Sequence, residues 1–288
     1  MTASKLPELL ELERIIEDGM RHGLQSRILC EVNTSGRKLP VYALTLGNPS
    51  LDVPAVGFFG GVHGLERIGT QVLLVFLRSL LARLRWDPVL HRQLDVVRLV
   101  FMPLVNPGGM WHGMRANPRG VDLMRNAPLE AVSKVPFMLG GQRVSSRLPW
   151  FRGLIGAPME IESQAVCRVV EEELLSRKFS LALDCHSGFG IRDRIWFPYA
   201  HTPVPIQHLP DISALENLFS QTHPNHNYLF EPQSCQYLTH GDLWDFLYLH
   251  AEDHGKRVFL PLTLEMGSWL WVKKNPRQVF SRQGLFNP

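Results

Sequence analysis

Leu9, Leu12, Ile16 and Met20 recur at helical spacing and predict an amphipathic helix ending near Gly23. Two alternating runs follow, Ser26–Val32 and Leu39–Leu46, separated by Asn33–Arg37; they predict a β-hairpin. Val53–Gly60 is a short apolar run closing in Gly-Gly, the pattern of a strand buried on both faces. Ile68–Leu84 has the apolar density of a helix that faces a core. Val96–Val105 predicts a second buried strand, stopped by the turn signal Asn106-Pro107-Gly108-Gly109. Residues 127–160 are rich in Pro and Gly with little periodicity and predict a long surface loop, the kind of segment that often forms a lid or binding loop. A helix is expected over Gln164–Leu175, a third buried strand over Leu181–Cys185, a helix over Gly241–His254 and a fourth strand over Val258–Leu264. Strands alternate with helices and nothing reads as a linker. The expected fold class is therefore α/β, one domain over residues 1–288, with a largely parallel sheet between two helical layers.

Composition narrows the function classes. The 288 residues are 45% hydrophobic and 20% charged, ordinary globular usage that excludes disordered, collagen-like and coiled-coil chains. The net charge of +3 comes from basic and acidic residues spread along the length, with no basic block of the kind that binds nucleic acid. Cys30, Cys167, Cys185 and Cys235 form no C-x-x-C pair and suit a reducing compartment. The acidic, helical N-terminus lacks the pattern of a signal peptide, and the most apolar helical stretch, Val72 to Leu84, is broken by Arg78, Ser79 and Arg83. A cytoplasmic protein with no membrane partner is expected.

Three buried strands end in polar residues. Val53–Gly60 leads into His63 and Glu66, Leu181–Cys185 into His186, and Val258–Leu264 into Glu265. Ligands of open α/β sheets bind beyond the carboxyl ends of the strands, so these groups converge. A His and a Glu three residues apart, with a distant second His, supply the three ligands of a catalytic zinc ion that keeps one position open. The spacing H-x-x-E is common by chance. His186 and Glu265 at the other strand ends are what make it chemistry. His250 and His254, four apart with Glu252 and Asp253 between them, read instead as a solvated helix face.

The segments GGVHGLE, NPGGMWHGMRANPRGVDLMRN, MEIESQAV, LDCHSGFG and LTLEMG span residues 60 to 267 in that order. By these motifs the chain resembles the zinc metallocarboxypeptidases, most closely the bacterial branch without a pro-segment that includes the rapid-encystment carboxypeptidase. The resemblance implies a three-layer α/β/α fold with a mostly parallel mixed sheet, one catalytic Zn2+ ion, and hydrolysis of a C-terminal peptide bond. It implies His63, Glu66 and His186 as zinc ligands, Glu265 as general base and Arg115 as the cation that stabilises the oxyanion. It further implies Arg125 as the grip on the substrate's terminal carboxylate, Asp122 as the carboxylate behind the first zinc histidine, and Tyr237 as a mobile tyrosine closing over substrate. Each role has a physical reason. A carboxylate near zinc takes a proton from the attacking water; an arginine meets the developing oxyanion or holds a carboxylate through two N–H groups; an acid behind a zinc histidine sets its tautomer.

Met124 stands where the family usually has an asparagine beside the carboxylate-binding arginine. Methionine donates no hydrogen bond, so one donor to the terminal carboxylate is lost, and Asn126 is the nearest candidate to replace it. Asp242 and Asp245, just after Tyr237, are candidates for the side-chain pocket and would favour a C-terminal Lys or Arg; helix N-terminal charge is the alternative use. The expected substrate is a peptide. A zinc amidohydrolase of the aspartoacylase and succinylglutamate desuccinylase type, acting on small acylated amino acids, uses the same ligand set and is the first rival. A non-catalytic binder of peptide C-termini is the second.

Overall fold

The computed structural model describes residues 6–190, 192–253 and 257–267. In chain order the elements are α1 (Pro7–Met20), β1 (Gln25–Thr34), β2 (Arg37–Gly47), β3 (Ala55–Gly60), α2 (Arg67–Leu84), α3 (Pro88–Leu94), β4 (Arg98–Met102) and α4 (Pro107–His112). There follow α5 (Ile161–Val169), β5 (Phe179–Ser187), β6 (Arg194–Phe197), α6 (Leu209–Thr222), β7 (Leu229–Pro232), α7 (Leu243–Asp253) and β8 (Val258–Met266).

The strands form one sheet in the order β1-β2-β4-β3-β5-β8-β6-β7. Its centre is parallel: β3 pairs with β4 and β5, and β5 with β8. The hairpin β1-β2 adds an antiparallel edge, and β6 runs antiparallel to β8. One face, through Phe59, Ala182 and Phe259, packs on Val166 and Val169 of α5 and on Leu247 and Ala251 of α7. The opposite face, through Leu44 and Phe101, packs on Leu12 of α1 and on Leu74, Leu77 and Leu81 of α2. Each buried leucine contributes about 1.5–3 kcal/mol. The fold is the α/β class with the mixed, mainly parallel sheet between helical layers.

Several elements depart from the periodic pattern. Asn106-Pro107-Gly108-Gly109 opens α4 rather than a simple turn: the Asn106 side chain accepts the Gly109 N–H at 2.7 Å, and Gly113 closes the helix in the left-handed conformation. The expected helix Gln164–Leu175 is α-helical only to Val169 and widens into π turns over Val170–Leu175, where Val170, Leu174 and Leu175 all stay buried. β6 and β7 are four residues each, too short for alternation to show, and α6 buries only Ile212, so none carries a strong hydrophobic signal. His250 pairs with Glu171 at 3.8 Å; His254 lies outside the described residues.

The first turn of α2 touches the end of β5. A Cβ on Gly69 would stand 2.2 Å from the carbonyl oxygen of Cys185. Glycine there permits the contact that sets Glu66, one residue before the helix, beside His186, one residue after Cys185. Gly69→Ala must push helix and strand apart, because the obstructing atom is backbone. It is expected to cost about 1–3 kcal/mol in urea unfolding and to weaken metal binding at the same time; a variant with wild-type stability would contradict the contact.

Candidate active site

The ends of β3, β5 and β8 place the chemistry. Beyond β3, Gly61 at φ +64 turns the chain so that His63 and Glu66 both face inward. His63, Glu66 and His186 are 2–3% exposed, and one ligand atom from each lies within 4.8 Å of the others. His63 Nδ1 is 2.8 Å from Glu66 Oε1, and His186 Nδ1 is 3.1 Å from both His63 Nδ1 and Glu66 Oε2. The far nitrogen of each ring is taken by a carboxylate: His63 Nε2 by Asp122 Oδ1 at 3.2 Å, and His186 Nε2 by Asp184 Oδ2 at 2.7 Å. Two rings presenting the same nitrogen to a common centre, each backed by an acid, with a carboxylate as third donor, suit a zinc ion.

The irregular segment after α4 is shaped by Asn117, whose side-chain oxygen accepts the N–H groups of Arg119 and Val121, both at 3.0 Å. That turn sets Arg115 against Asp122. Arg115 donates from Nε to Asp122 Oδ2 at 2.9 Å and from Nη1 to Glu66 Oε1 at 3.3 Å. Arg125 is 3% exposed, and its Nε has no hydrogen-bond partner. Together with Met124, Tyr237, Asp242 and Glu265 it lines a hollow that reaches His63 and His186. Glu265 is the register partner of His186 across β5 and β8, and its Oε2 is buried without a hydrogen bond. Tyr237, half-buried, packs against Phe189 and Trp196 at centroid distances of 5.8 and 6.3 Å.

Asn126 is placed differently from the expectation that it donates to a substrate. Its amide donates to the Arg152 carbonyl at 2.9 Å and accepts the Glu160 N–H at 2.6 Å, and it does not line the hollow. It anchors the long loop behind Arg125. Asp245 is also spent: its Oδ2 accepts the N–H groups of Ala200 at 2.7 Å and His201 at 2.8 Å. Asp242 divides its work. One oxygen caps α7 through the N–H groups of Trp244 and Asp245, each at 3.0 Å, and the other is buried without a partner.

Dryness and crowding set the charges. Burial raises the Glu66 carboxyl, but His63 and His186 outweigh it and hold the group far below the usual range. Burial disfavours a charge on His186, yet Asp184 above all, with Glu66, keeps its ring well above the ordinary value. Asp122 lies well below the carboxylate range because Arg115 and His63 overcome its burial. Burial pushes Glu265 up to about 8, with His186 and Arg115 opposing and the Glu66 and Asp184 carboxylates adding. Burial and then Asp245 push Asp242 up to about 7.

Asp184, fully buried, was missed by the reading from sequence, as was Trp244, which donates to it at 2.9 Å. The signal was present. Asp184 sits two residues before His186 on β5, and alternate strand residues share a face.

Residues 26–268 match the family model described as zinc carboxypeptidase. The chain belongs to the zinc carboxypeptidase family. Among curated proteins it is 26% identical over 121 residues to carboxypeptidase SOL1 of Arabidopsis thaliana, covering 41% of this chain and 25% of that protein. It is 35% identical over 85 residues to carboxypeptidase 2 of Trichophyton rubrum, covering 28% of this chain and 15% of that one. The match thus spans about a quarter or less of the curated relatives. The fold is shared with thrombin-activatable fibrinolysis inhibitor, at TM-score 0.67 and 20% identity over 91% of this chain and 67% of that one. It is shared too with a metallo-carboxypeptidase from Burkholderia cenocepacia, at TM-score 0.59 and 17% identity over 88% of this chain and 59% of that one. The cofactor of the family is zinc, and His63, Glu66 and His186 are the group that fits it. No helix among the described residues is long and apolar enough to cross a membrane.

The zinc carboxypeptidase site carries a pH dependence of metal uptake. In the metal-free fold Asp184, with Glu66, holds the His186 ring well above its ordinary value despite burial, and a metal binds only the neutral ring. Loading must therefore expel a proton, and affinity falls by up to about tenfold per unit as pH drops below the raised value. Calorimetric zinc titrations in two buffers of different ionisation enthalpy should show at least one proton released per ion. Zero release at pH 7 would contradict a charged His186.

Proposed function

We propose that this chain is a zinc-dependent metallocarboxypeptidase that removes the C-terminal residue of a peptide. The observation that carries this is the composition of one hollow. It is lined by two of the buried ligand trio, His63 and His186, together with Glu265, which has an unbonded oxygen, and a buried Arg125 with an unused N–H. An exopeptidase needs all three: a metal, a base, and a cation set to receive the terminal carboxylate.

Zinc held by His63, Glu66 and His186 would supply a Lewis acid that acidifies a water and whose charge favours the carboxylate form of the neighbouring Glu265. Glu265 Oε2, free of other bonds, takes the water's proton and returns it to the leaving amine. Arg115, fixed by Asp122 and Glu66, presents its guanidinium to the oxygen that gains charge as the carbonyl is attacked. Arg125 binds the terminal carboxylate, with Asn126 bracing the loop behind it. Tyr237, whose hydroxyl faces Arg125 and Glu265, closes the hollow over the bound residue. The unpaired oxygen of Asp242 faces the substrate's terminal side chain and favours Lys or Arg there. Four cysteines, none bonded to another, fit a reducing compartment such as the cytoplasm.

The test is a panel of peptides differing only in the last residue, with C-terminally amidated controls, incubated with the zinc-loaded protein and read by mass spectrometry. Single residues should leave the free-acid peptides alone, fastest for Lys and Arg, and Glu265→Gln should retain zinc while losing about two or more orders of magnitude in kcat. Uncut peptides alongside cleaved N-acyl amino acids would instead identify the small-molecule amidohydrolase. Met124 lines the hollow beside Arg125 and offers no donor. Restoring one by Met124→Asn adds a bond to a charged group worth about 1.5–3 kcal/mol, so KM for free-acid peptides should fall roughly tenfold or more; steady-state kinetics on one peptide series measures it.

A further inference from the structure

We infer that Trp244, in the first turn of α7, is a positioning residue for the metal ligand His186 and acts on it through Asp184. Its indole Nε1–H donates to Asp184 Oδ2 at 2.9 Å, and the same oxygen is 2.7 Å from His186 Nε2. Asp184 is fully buried, and its other oxygen has no hydrogen-bond partner. The indole and the imidazole are thus the only side chains orienting this carboxylate among the described residues. A carboxylate torsion is broad by nature. With the imidazole alone, rotation about it would carry the acceptor away from the ring; the indole adds a second fixed direction that stops the rotation.

The indole is itself held. It is 3% exposed, meets the edge of Phe59 at a centroid distance of 5.0 Å and an interplanar angle of 69°, and its main-chain N–H is bonded to Asp242 at 3.0 Å. The two metal histidines are therefore supported by different chemistry. Behind His63, Asp122 is braced by the cationic Arg115 at 2.9 Å and by the Met124 N–H at 3.1 Å. Behind His186, Asp184 is braced by a neutral donor only. A neutral donor orients the acid without competing for its charge, which stays available to the imidazole. The route runs on to substrate, because Asp242, which holds the Trp244 main chain, lines the hollow proposed to receive the terminal residue.

This role rests on His186 as a zinc ligand, so the reference is wild-type protein binding one zinc per chain that His63→Ala fails to retain. Absence of that ion would overturn the metal site and this role with it. Trp244→Phe keeps an aromatic ring against Phe59 and removes the donor together with the second ring of the indole. By chelator competition its zinc dissociation constant should rise about ten- to a hundredfold, the usual effect of losing support behind a metal ligand. The melting temperature of the metal-free protein should fall no further than that of Phe59→Leu, and KM of the loaded enzyme should change less than kcat. Phe59→Leu, which removes the ring contact and keeps the donor, should lower the melting temperature and leave zinc affinity in place. Asp184→Asn should weaken zinc at least as much as Trp244→Phe, and the double variant no more than Asp184→Asn alone, because both act on one bond network. Wild-type zinc affinity in Trp244→Phe would overturn the assignment. So would effects of the two substitutions that add, or zinc losses that track melting temperature in both Trp244→Phe and Phe59→Leu, which would make Trp244 packing alone.

Discussion

Everything at the centre of this molecule follows from placing several carboxylates where water does not reach. Glu66, Asp122 and Asp184 are at most 3% exposed, and a buried charge without a partner costs several kcal/mol. Each is answered. Glu66 meets both histidines, Arg115 and the Ser187 N–H; Asp122 meets His63, Arg115 and the Met124 N–H; Asp184 meets His186 and the Trp244 indole. The network is negative at its heart, which is the electrostatic condition for holding a divalent cation. The carboxylates at its margin rise towards neutral pH, Glu265 through burial with a smaller push from Glu66 and Asp184, and Asp242 through burial and its neighbour Asp245.

Holding these groups requires close approach of backbones that secondary structure alone does not supply. The start of α2 rests on the end of β5 because Gly69 has no side chain. Gly241, at φ +69, plays a similar part where the chain crosses Arg125: a Cβ there would stand 2.0 Å from the Arg125 carbonyl oxygen. That crossing brings Asp242 and the first turn of α7 to the hollow. The site thus lies where three parallel strands end and two glycines let neighbouring segments touch.

The segments without regular structure are organised by buried polar side chains. Asn106, Asn117, Gln142 and Arg152 are all buried, and each bonds main-chain groups of its own loop or the next. Gln142 alone donates to the carbonyls of Ser145, Leu148 and Pro149, and Arg152 donates to those of Arg125 and Leu129. Side chains here do the work that ladders do in the sheet, satisfying main-chain polar groups away from water. The long loop after Arg125 is therefore held by polar side chains rather than apolar periodicity.

The hydrophobic pattern was enough to locate the strands ending near His63, His186 and Glu265, because a strand buried on both faces reads as an unbroken apolar run and a polar residue at its end stands out. The convergence of these polar strand ends and the α/β class follow from that local contrast. Short strands β6 and β7 and the π turns after Val169 were not legible, since each depends on neighbours distant in sequence; the cap that Asn106 places on Gly109 is local, and the same residues also fit a simple turn. The same holds within the site. Asn126 and Asp242 are both short polar side chains beside a functional residue, and nothing local distinguishes them. Tertiary packing turned the first into a loop anchor and left the second, a residue that lines the hollow, with one unpaired oxygen. It also joined Trp244 to Asp184 across 60 residues. Periodicity records which face of an element is dry; which donor meets which acceptor is decided only when the elements pack.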